Sequence, residues 1–333
     1  MNKKQEIKVP PKLFKETQGL IKTISKSLDG DFISYWISDN SRIVGEDIVA
    51  FYEVLKSEKK KDTLHLFIKS GGGSGEASLR IVNLLRKYYK KIIALVPLDC
   101  ASAATMLVLG ADKINMGPLA YLSPIDSSIT HDLSPIDKDN DRVSVSQNEL
   151  GRVIKLWNSN KKESDKNPYS DIYGYIHPLV IGSVDRASSL SIKLTTDILS
   201  YHMSNLKAVE KISNTLNSNY PSHSYPITIN EALKVGLNVE EMENSINNKL
   251  LELNELYSEM AQLAYTDKDE LNYHDNEILK IVEGINVKLF YQKDKDLHYR
   301  SEERKWVTLN DNSSWRKIRL TGNKTEESSF HIR

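Results

Sequence analysis

Two short stretches of this chain carry residue types that can do chemistry. The first, FIKSGGGSGEASLRIV (residues 67–82), sets four glycines between an apolar strand-like run and an amphipathic helical one. Backbone N–H groups at such a turn converge on negative charge, and the dipole of the following helix adds to the attraction. The anion can be a dinucleotide phosphate, a substrate carboxylate or the oxyanion that develops during acyl transfer. A phosphate-binding loop requires Gly-Lys-Ser/Thr at its end, whereas Gly73 is followed by Ser74, Gly75 and Glu76. The dinucleotide fingerprint is also poorly met: Glu76 stands where a third glycine belongs after Gly71 and Gly73, although Asp99 at the end of the next strand suits a ribose.

The second stretch, LVPLDCASAATMLVLGADKI (residues 95–114), places Ser102 among Ala101, Ala103 and Ala104 where a strand passes into a buried helix. A hydroxyl at such a junction has free backbone N–H groups beside it, and the alanines leave room for an acyl group to approach. On its own, a serine here reads as a helix N-cap. Its position one αβ unit after Gly73 brings it to the same carboxyl edge of a parallel sheet as the glycine turn, and ligands bind at that edge. Cys100, two residues earlier, is a thiol nucleophile only if the register shifts; as a small buried residue on the other face of the strand it is inert.

The elements that must hold these residues follow from hydrophobic spacing. Strand patterns at 32–38, 62–70, 91–99 and 113–116 alternate with helical patterns at 45–57, 77–89 and 103–110, which predicts right-handed parallel αβ units. LSPID occurs twice within 122–147, among turn formers, as a loop or small excursion. Helices are expected around 147–160 and 185–216, separated by an exposed, mobile polar segment at 159–171. A short helix at 230–235, stopped by Gly236, leads to a last strand. Residues 1–30 read as an N-terminal arm or short helix, 31–242 as the main α/β domain, and 243–333 as an extension of one amphipathic helix (243–265) and β-hairpin strands.

Composition narrows the function classes. Lys+Arg and Asp+Glu both number 45 in 333 residues, so no global field draws the chain to nucleic acid or an anionic membrane. Trp306 and Trp315 sit among Lys and Arg in the C-terminal strands, a mixture that solvated strand faces explain as well as nucleic-acid reading does. The longest apolar runs fall far short of a bilayer span, and no apolar signal core is evident near the N-terminus, so a cytoplasmic protein without a transmembrane segment is expected. A single cysteine excludes an intramolecular disulfide and a cysteine-based zinc cage.

The ordered set SGGGSGEAS, VPLDCASAATMLVLGADKINMG, LAYLSPID and YPSHSYPITINEALKVGL resembles the Clp-fold serine peptidases. Within them it is similar to the serine dehydrogenase proteinase (SDH-type) group, related to Clp protease proteolytic subunits and signal peptide peptidase A. The resemblance spans roughly residues 32–240. It implies an α/β Clp/crotonase-like fold of repeated ββα units with a mainly parallel sheet. It also implies a protein or peptide substrate, no cofactor or metal, and assembly into a homo-oligomer.

Carried over by motif, Ser102 matches the nucleophile, and the amides of Ala103 and of Gly72 or Gly73 match the oxyanion hole. Clp subunits place a histidine on the segment that here reads LAYLSPID and an acid near the one that reads YPSHSYPI. This chain has Asp126 in the first and His223 in the second, so the residue types are present in exchanged positions. Ser102, Asp126 and His223 then form a triad in which His223 takes the hydroxyl proton. His131 is an alternative base, and a Ser–Lys dyad with Lys138 resembles the lysine-dependent relatives. Two other functions stand beside the serine peptidase: a crotonase-type CoA-thioester enzyme, and a catalytically inactive binding or scaffold protein.

Overall fold

The computed structural model describes residues 6–56, 61–138, 140–159 and 167–330. Helix α1 (Phe14–Ser27) leads into β1 (Asp31–Ile37), α2 (Asp47–Leu55), β2 (Thr63–Lys69), α3 (Gly75–Tyr88) and β3 (Lys91–Val96). Next come the two-residue strand β4 (Asp99–Cys100), α4 (Ala103–Leu109), β5 (Lys113–Met116) and β6 (Tyr121–Leu122). The LSPID region forms the small antiparallel pair β7 (Ser128–Ile129) and β8 (Val145–Ser146), followed by α5 (Gln147–Ser159) and α6 (Pro168–Ile172). Then follow α7 (Pro178–Leu199), α8 (Leu206–Ser218), α9 (Ile229–Val235), β9 (Val239–Glu241) and α10 (Asn244–Met260). The chain ends in β10 (Ala264–Asp269), β11 (Asn272–Gly284), β12 (Val287–Arg300), β13 (Lys305–Asp311), β14 (Ser314–Thr321) and β15 (Lys324–Phe330).

Strands β1, β2, β3, β5 and β9 pair in parallel, as the alternating sequence pattern predicts. The sheet does not stop at β1. β11 adds to it antiparallel, Ser34 opposite Glu283 and Ile37 opposite Lys280, and β12, β14 and β15 continue outward, so the C-terminal strands belong to the same sheet. β1 is therefore an interior strand, which is why all seven of its residues are buried although no alternation appears in their sequence.

Its two faces feed two cores. Ile33, Tyr35 and Ile37 pack with residues of α2, α3 and α4, while Phe32 and Trp36 pack with α1 and α10 through Ile21, Ile24, Leu250, Leu253 and Tyr257. Each such fully buried side chain contributes about 1.5–3 kcal/mol by removal from water. The apolar stripe of α10 thus closes the core over β1.

A polar knot ties these elements. Glu283 accepts from Thr17 Oγ1 (2.8 Å), Gln18 Nε2 (2.8 Å) and Tyr257 Oη (2.9 Å), Tyr257 also meets Ser34 Oγ (2.6 Å), and Lys288 lies 3.4 Å from Glu283. Burial pushes the Tyr257 hydroxyl well up and the Lys288 ammonium down. Trp315 is buried against Tyr291, while Trp306, exposed, meets Tyr273 edge to face.

One sequence expectation changes, and another falls partly outside the described residues. The helix expected over 185–216 is two helices, α7 and α8, because Asn205 caps the second by accepting from Ala208 N at 3.2 Å. Part of the polar segment expected to be mobile, residues 160–166, lies outside the described residues. Among the described residues no helix is long and apolar enough to cross a membrane.

Candidate active site

Strands β2 and β3, with the turns that follow them, deliver the two chemical stretches to one edge of the sheet. An isolated parallel bridge holds them side by side: Ser70 N donates to Asp99 O (3.1 Å) and Ala101 N donates to Ser70 O (2.9 Å). Ser74 caps α3, its hydroxyl accepting from Ala77 N at 3.1 Å.

Before that cap the backbone takes left-handed values, φ +109° at Gly72 and +145° at Gly73, which glycine adopts without a Cβ penalty. Close approach requires glycine as well: a Cβ on Gly72 would stand 2.8 Å from Ser102 Cβ and 2.9 Å from Ala101 O. Gly73 bridges in parallel with Ile43, through Ile43 N to Gly72 O (2.8 Å) and Ser74 N to Ile43 O (2.9 Å). In such a bridge the N–H of the central residue points away from its partner strand. The Gly72 N–H is already engaged by Ser70 Oγ at 3.1 Å, whereas among the described residues the N–H groups of Gly73 and Ala103 have no acceptor.

Ser102 sits at φ +53°, ψ −118°, a conformation that costs on the order of 1–3 kcal/mol for a residue with a side chain. Its neighbours hold it there. Ser102 N donates to Ser123 Oγ (2.8 Å), Ser123 N donates to Thr105 Oγ1 (3.1 Å), Thr105 Oγ1 donates to Cys100 O (2.9 Å), and Ser78 Oγ donates to Ala103 O (2.7 Å). Sequence reasoning missed Ser123 and Thr105, although Ser123 lies inside the LSPID motif. Ser102 lines a cleft of about 220 Å³ walled by Met106, Ile125, Leu190 and Leu194. Cys100 is fully buried, and burial pushes its thiol well up, so it is no thiolate.

Asp126 and His223 meet, as the exchanged-motif reading expects: Asp126 Oδ1 lies 2.8 Å from His223 Nδ1. This hydrogen bond, with the carboxylate's charge added, raises the histidine above its ordinary 6.5 against the opposing effect of burial. The pair lines a second cleft of about 350 Å³ that shares Ser128 with the Ser102 cleft. No hydrogen bond to the Ser102 hydroxyl is found among the described residues, so this arrangement brings the acid to the histidine and leaves the histidine short of the serine.

The alternative bases stand elsewhere. His131 Nδ1 accepts from Leu133 N (3.0 Å) and its main-chain N–H donates to Ser134 Oγ (2.9 Å), which makes it a turn residue of the excursion. Lys138 is exposed on the same excursion, and neither residue lines the Ser102 cleft. Among the described residues no His/Cys/Asp/Glu group is arranged to hold a metal ion.

A central sheet with five parallel strands, a glycine turn beside a serine elbow, and an antiparallel β extension define a Clp-protease-like α/β fold. Residues 16–120 match the family model described as Clp protease. That segment contains both the glycine turn and Ser102 and ends before Asp126, so the resemblance read from the sequence motifs holds where the turn and elbow lie, and it supports peptidase chemistry in general. An uncharacterized protein of Methanocaldococcus jannaschii is 23% identical over 214 residues, 64% of this chain and 65% of that protein, so the chain matches just under two thirds of this relative's length. Among solved structures, a mutant of the 1510-N membrane-bound stomatin-specific protease is 13% identical, covering 67% of this chain and 86% of that one at a TM-score of 0.41. A mutant of ClpP1 from Listeria monocytogenes is 14% identical, covering 69% and 99% at a TM-score of 0.35.

Proposed function

We propose that this protein is a serine endopeptidase in which Ser102 is the nucleophile and the N–H groups of Gly73 and Ala103 form the oxyanion hole. The observation that carries this reading is the strained Ser102 elbow lying against Gly72, with two main-chain donors beside it that have no acceptor among the described residues. Ser102 Oγ attacks a peptide carbonyl, its proton passes to His223 Nε2, and the carbonyl oxygen, now negative, receives the two N–H groups. Collapse of this intermediate expels the amine, which takes the proton back from His223. Water, deprotonated by the same imidazole, then hydrolyses the acyl-enzyme.

Asp126 holds the imidazole through Nδ1 and stabilises its protonated form. Catalytic hydrogen bonds are often long before substrate binds, and Ser128 lines both the Ser102 cleft and the Asp126–His223 cleft. One missing oxyanion donor of this kind costs about 100- to 1,000-fold in rate, which sets the scale of the contribution from Gly73 and Ala103. The reading carries a cytoplasmic setting, in line with the single buried Cys100, and a homo-oligomeric assembly, in line with the Clp resemblance.

Reaction of the full chain with a fluorophosphonate, followed by peptide mapping, tests it. Modification at Ser102, absent from Ser102→Ala and at least 100-fold slower in His223→Ala, is expected. A folded protein that is not labelled is instead a crotonase-type enzyme or an inactive binding protein.

A further inference from the structure

A further cavity, larger than either cleft at the candidate active site, lies where the β1–α2 loop meets the C-terminal strands. It measures about 550 Å³ and is lined by Arg42 and Glu46 on one side and by Lys280, Tyr291, Ser314, Trp315 and Phe330 on the other. That volume is in the range of small-molecule sites.

Its polar groups have donors to give. Lys280 is only 5% exposed, and its carboxylate partner among the described residues, Asp47 (2.9 Å to Oδ1, 3.3 Å to Oδ2), occupies at most two of its three ammonium hydrogens. Among the described residues Arg42 has neither a hydrogen bond nor an ion pair. Arg42 is exposed and gives up only water for an acceptor, whereas the third ammonium hydrogen of the buried Lys280 is the donor that an acceptor in the cavity satisfies. The opposite wall is aromatic, with the Tyr291 and Trp315 rings edge to face at 5.9 Å.

From these observations we infer that this cavity binds a carboxylate carried on an aromatic body, and that its occupancy acts on the Ser102 site. The carboxylate meets Lys280 and Arg42 while the ring packs on Tyr291, Trp315 and Phe330. The route inward runs through hydrogen bonds and one peptide link. Lys280 holds Asp47, Asp47 Oδ2 accepts from Val44 N (2.9 Å), and the adjoining Ile43 makes the two main-chain bonds that clamp Gly73. A Cβ at Gly73 would lie 2.3 Å from Ile43 O, so the loop and the glycine cannot shift independently. A ligand held by Lys280 and Arg42 is therefore joined to the Gly73 N–H through the bonded groups of the 39–46 loop.

The coupling, though not the binding, rests on the peptidase reading. Titration calorimetry of the full chain with 3-phenylpropionate, with a hexapeptide ending in free phenylalanine, and with N-acetylphenylalaninamide as the probe lacking a carboxylate tests the site. Either carboxylate is expected to bind at least tenfold more tightly than the amide, and which of the two binds better separates a small metabolite from a peptide C-terminus. Arg42→Gln weakens binding about tenfold or more, the loss of one charge-assisted contact, and Tyr291→Ala weakens it without changing the preference for carboxylate.

In the same samples bound carboxylate changes the fluorophosphonate labelling rate at Ser102. No binding at millimolar concentration, or equal binding of the amide, overturns the site. Binding with an unchanged labelling rate overturns the coupling. A chain that binds but is never labelled leaves the site standing and refutes the peptidase reading instead.

Discussion

Three consecutive glycines precede the α3 cap, and they are not equivalent. A methyl group at Gly71 meets no atom within 4 Å, and its φ is ordinary. A methyl group at Gly72 meets Ser102 Cβ at 2.8 Å, Ala101 O at 2.9 Å and Ala103 N at 3.3 Å, on a backbone held at φ +109°. Gly72→Ala therefore combines backbone strain of about 1–3 kcal/mol with an overlap costing about 1–3 kcal/mol, together roughly 2–6 kcal/mol.

The atoms that must give way are the elbow itself, because Ala101 and Ala103 are held by Ser70 O and Ser78 Oγ and cannot retreat far. A displacement of the nucleophile of about 1 Å lowers its reactivity about 100-fold. Urea unfolding and the rate of fluorophosphonate labelling read the two consequences separately. Gly72→Ala should lose stability by the amount above and label about 100-fold more slowly, while Gly71→Ala should match the parent in both. Equal damage from the two substitutions, or unimpaired labelling of Gly72→Ala, refutes the close approach of the glycine turn to Ser102.

As the proposed base, His223 has to be neutral to accept a proton, so labelling should rise with pH to a midpoint above the ordinary 6.5, and Asp126→Asn should move that midpoint down. The same raised value means that the Asp126–His223 pair stabilises the fold below the unfolded histidine's pKa and ceases to do so as pH rises through the folded one. In urea the parent's advantage over Asp126→Asn should be largest in acid and vanish in mild alkali. Ending the chain at residue 263 strips β11 from β1 and removes Glu283 and Lys288 from the buried knot; scattering and circular dichroism should then report an aggregated chain, and a monomeric fold with the parent's melting temperature would refute the joint-core argument.

Much of this fold is legible in the sequence because its signals are local. The strand and helix periods through residue 116 recover the parallel core to within a few residues of each boundary. The partnership of β1 with β11 leaves no such trace: some 240 residues separate the strands, and β1, buried on both faces, reads as a continuous run whichever strand covers its edge. At the site, Ser102 and the glycine turn were readable from spacing. Which glycine amide remains free was not, since it depends on Ser70 Oγ engaging Gly72. The Asp126–His223 contact follows from exchanged residue types in two motifs, whereas the Ser123 and Thr105 supports are ordinary hydroxyl residues that only the folded geometry singles out.

The insertion of β1 between β2 and β11 also orders events during synthesis. At about 5–20 residues per second, the ribosome takes some tens of seconds after β1 emerges to complete the strand that covers it. Through that interval one flank of the nascent sheet is bare, and α10, which roofs Phe32 and Trp36, is still to come. The growing polypeptide thus has to be shielded from its neighbours until nearly its whole length has left the tunnel, and the glycine-serine edge rests on a finished scaffold only after that.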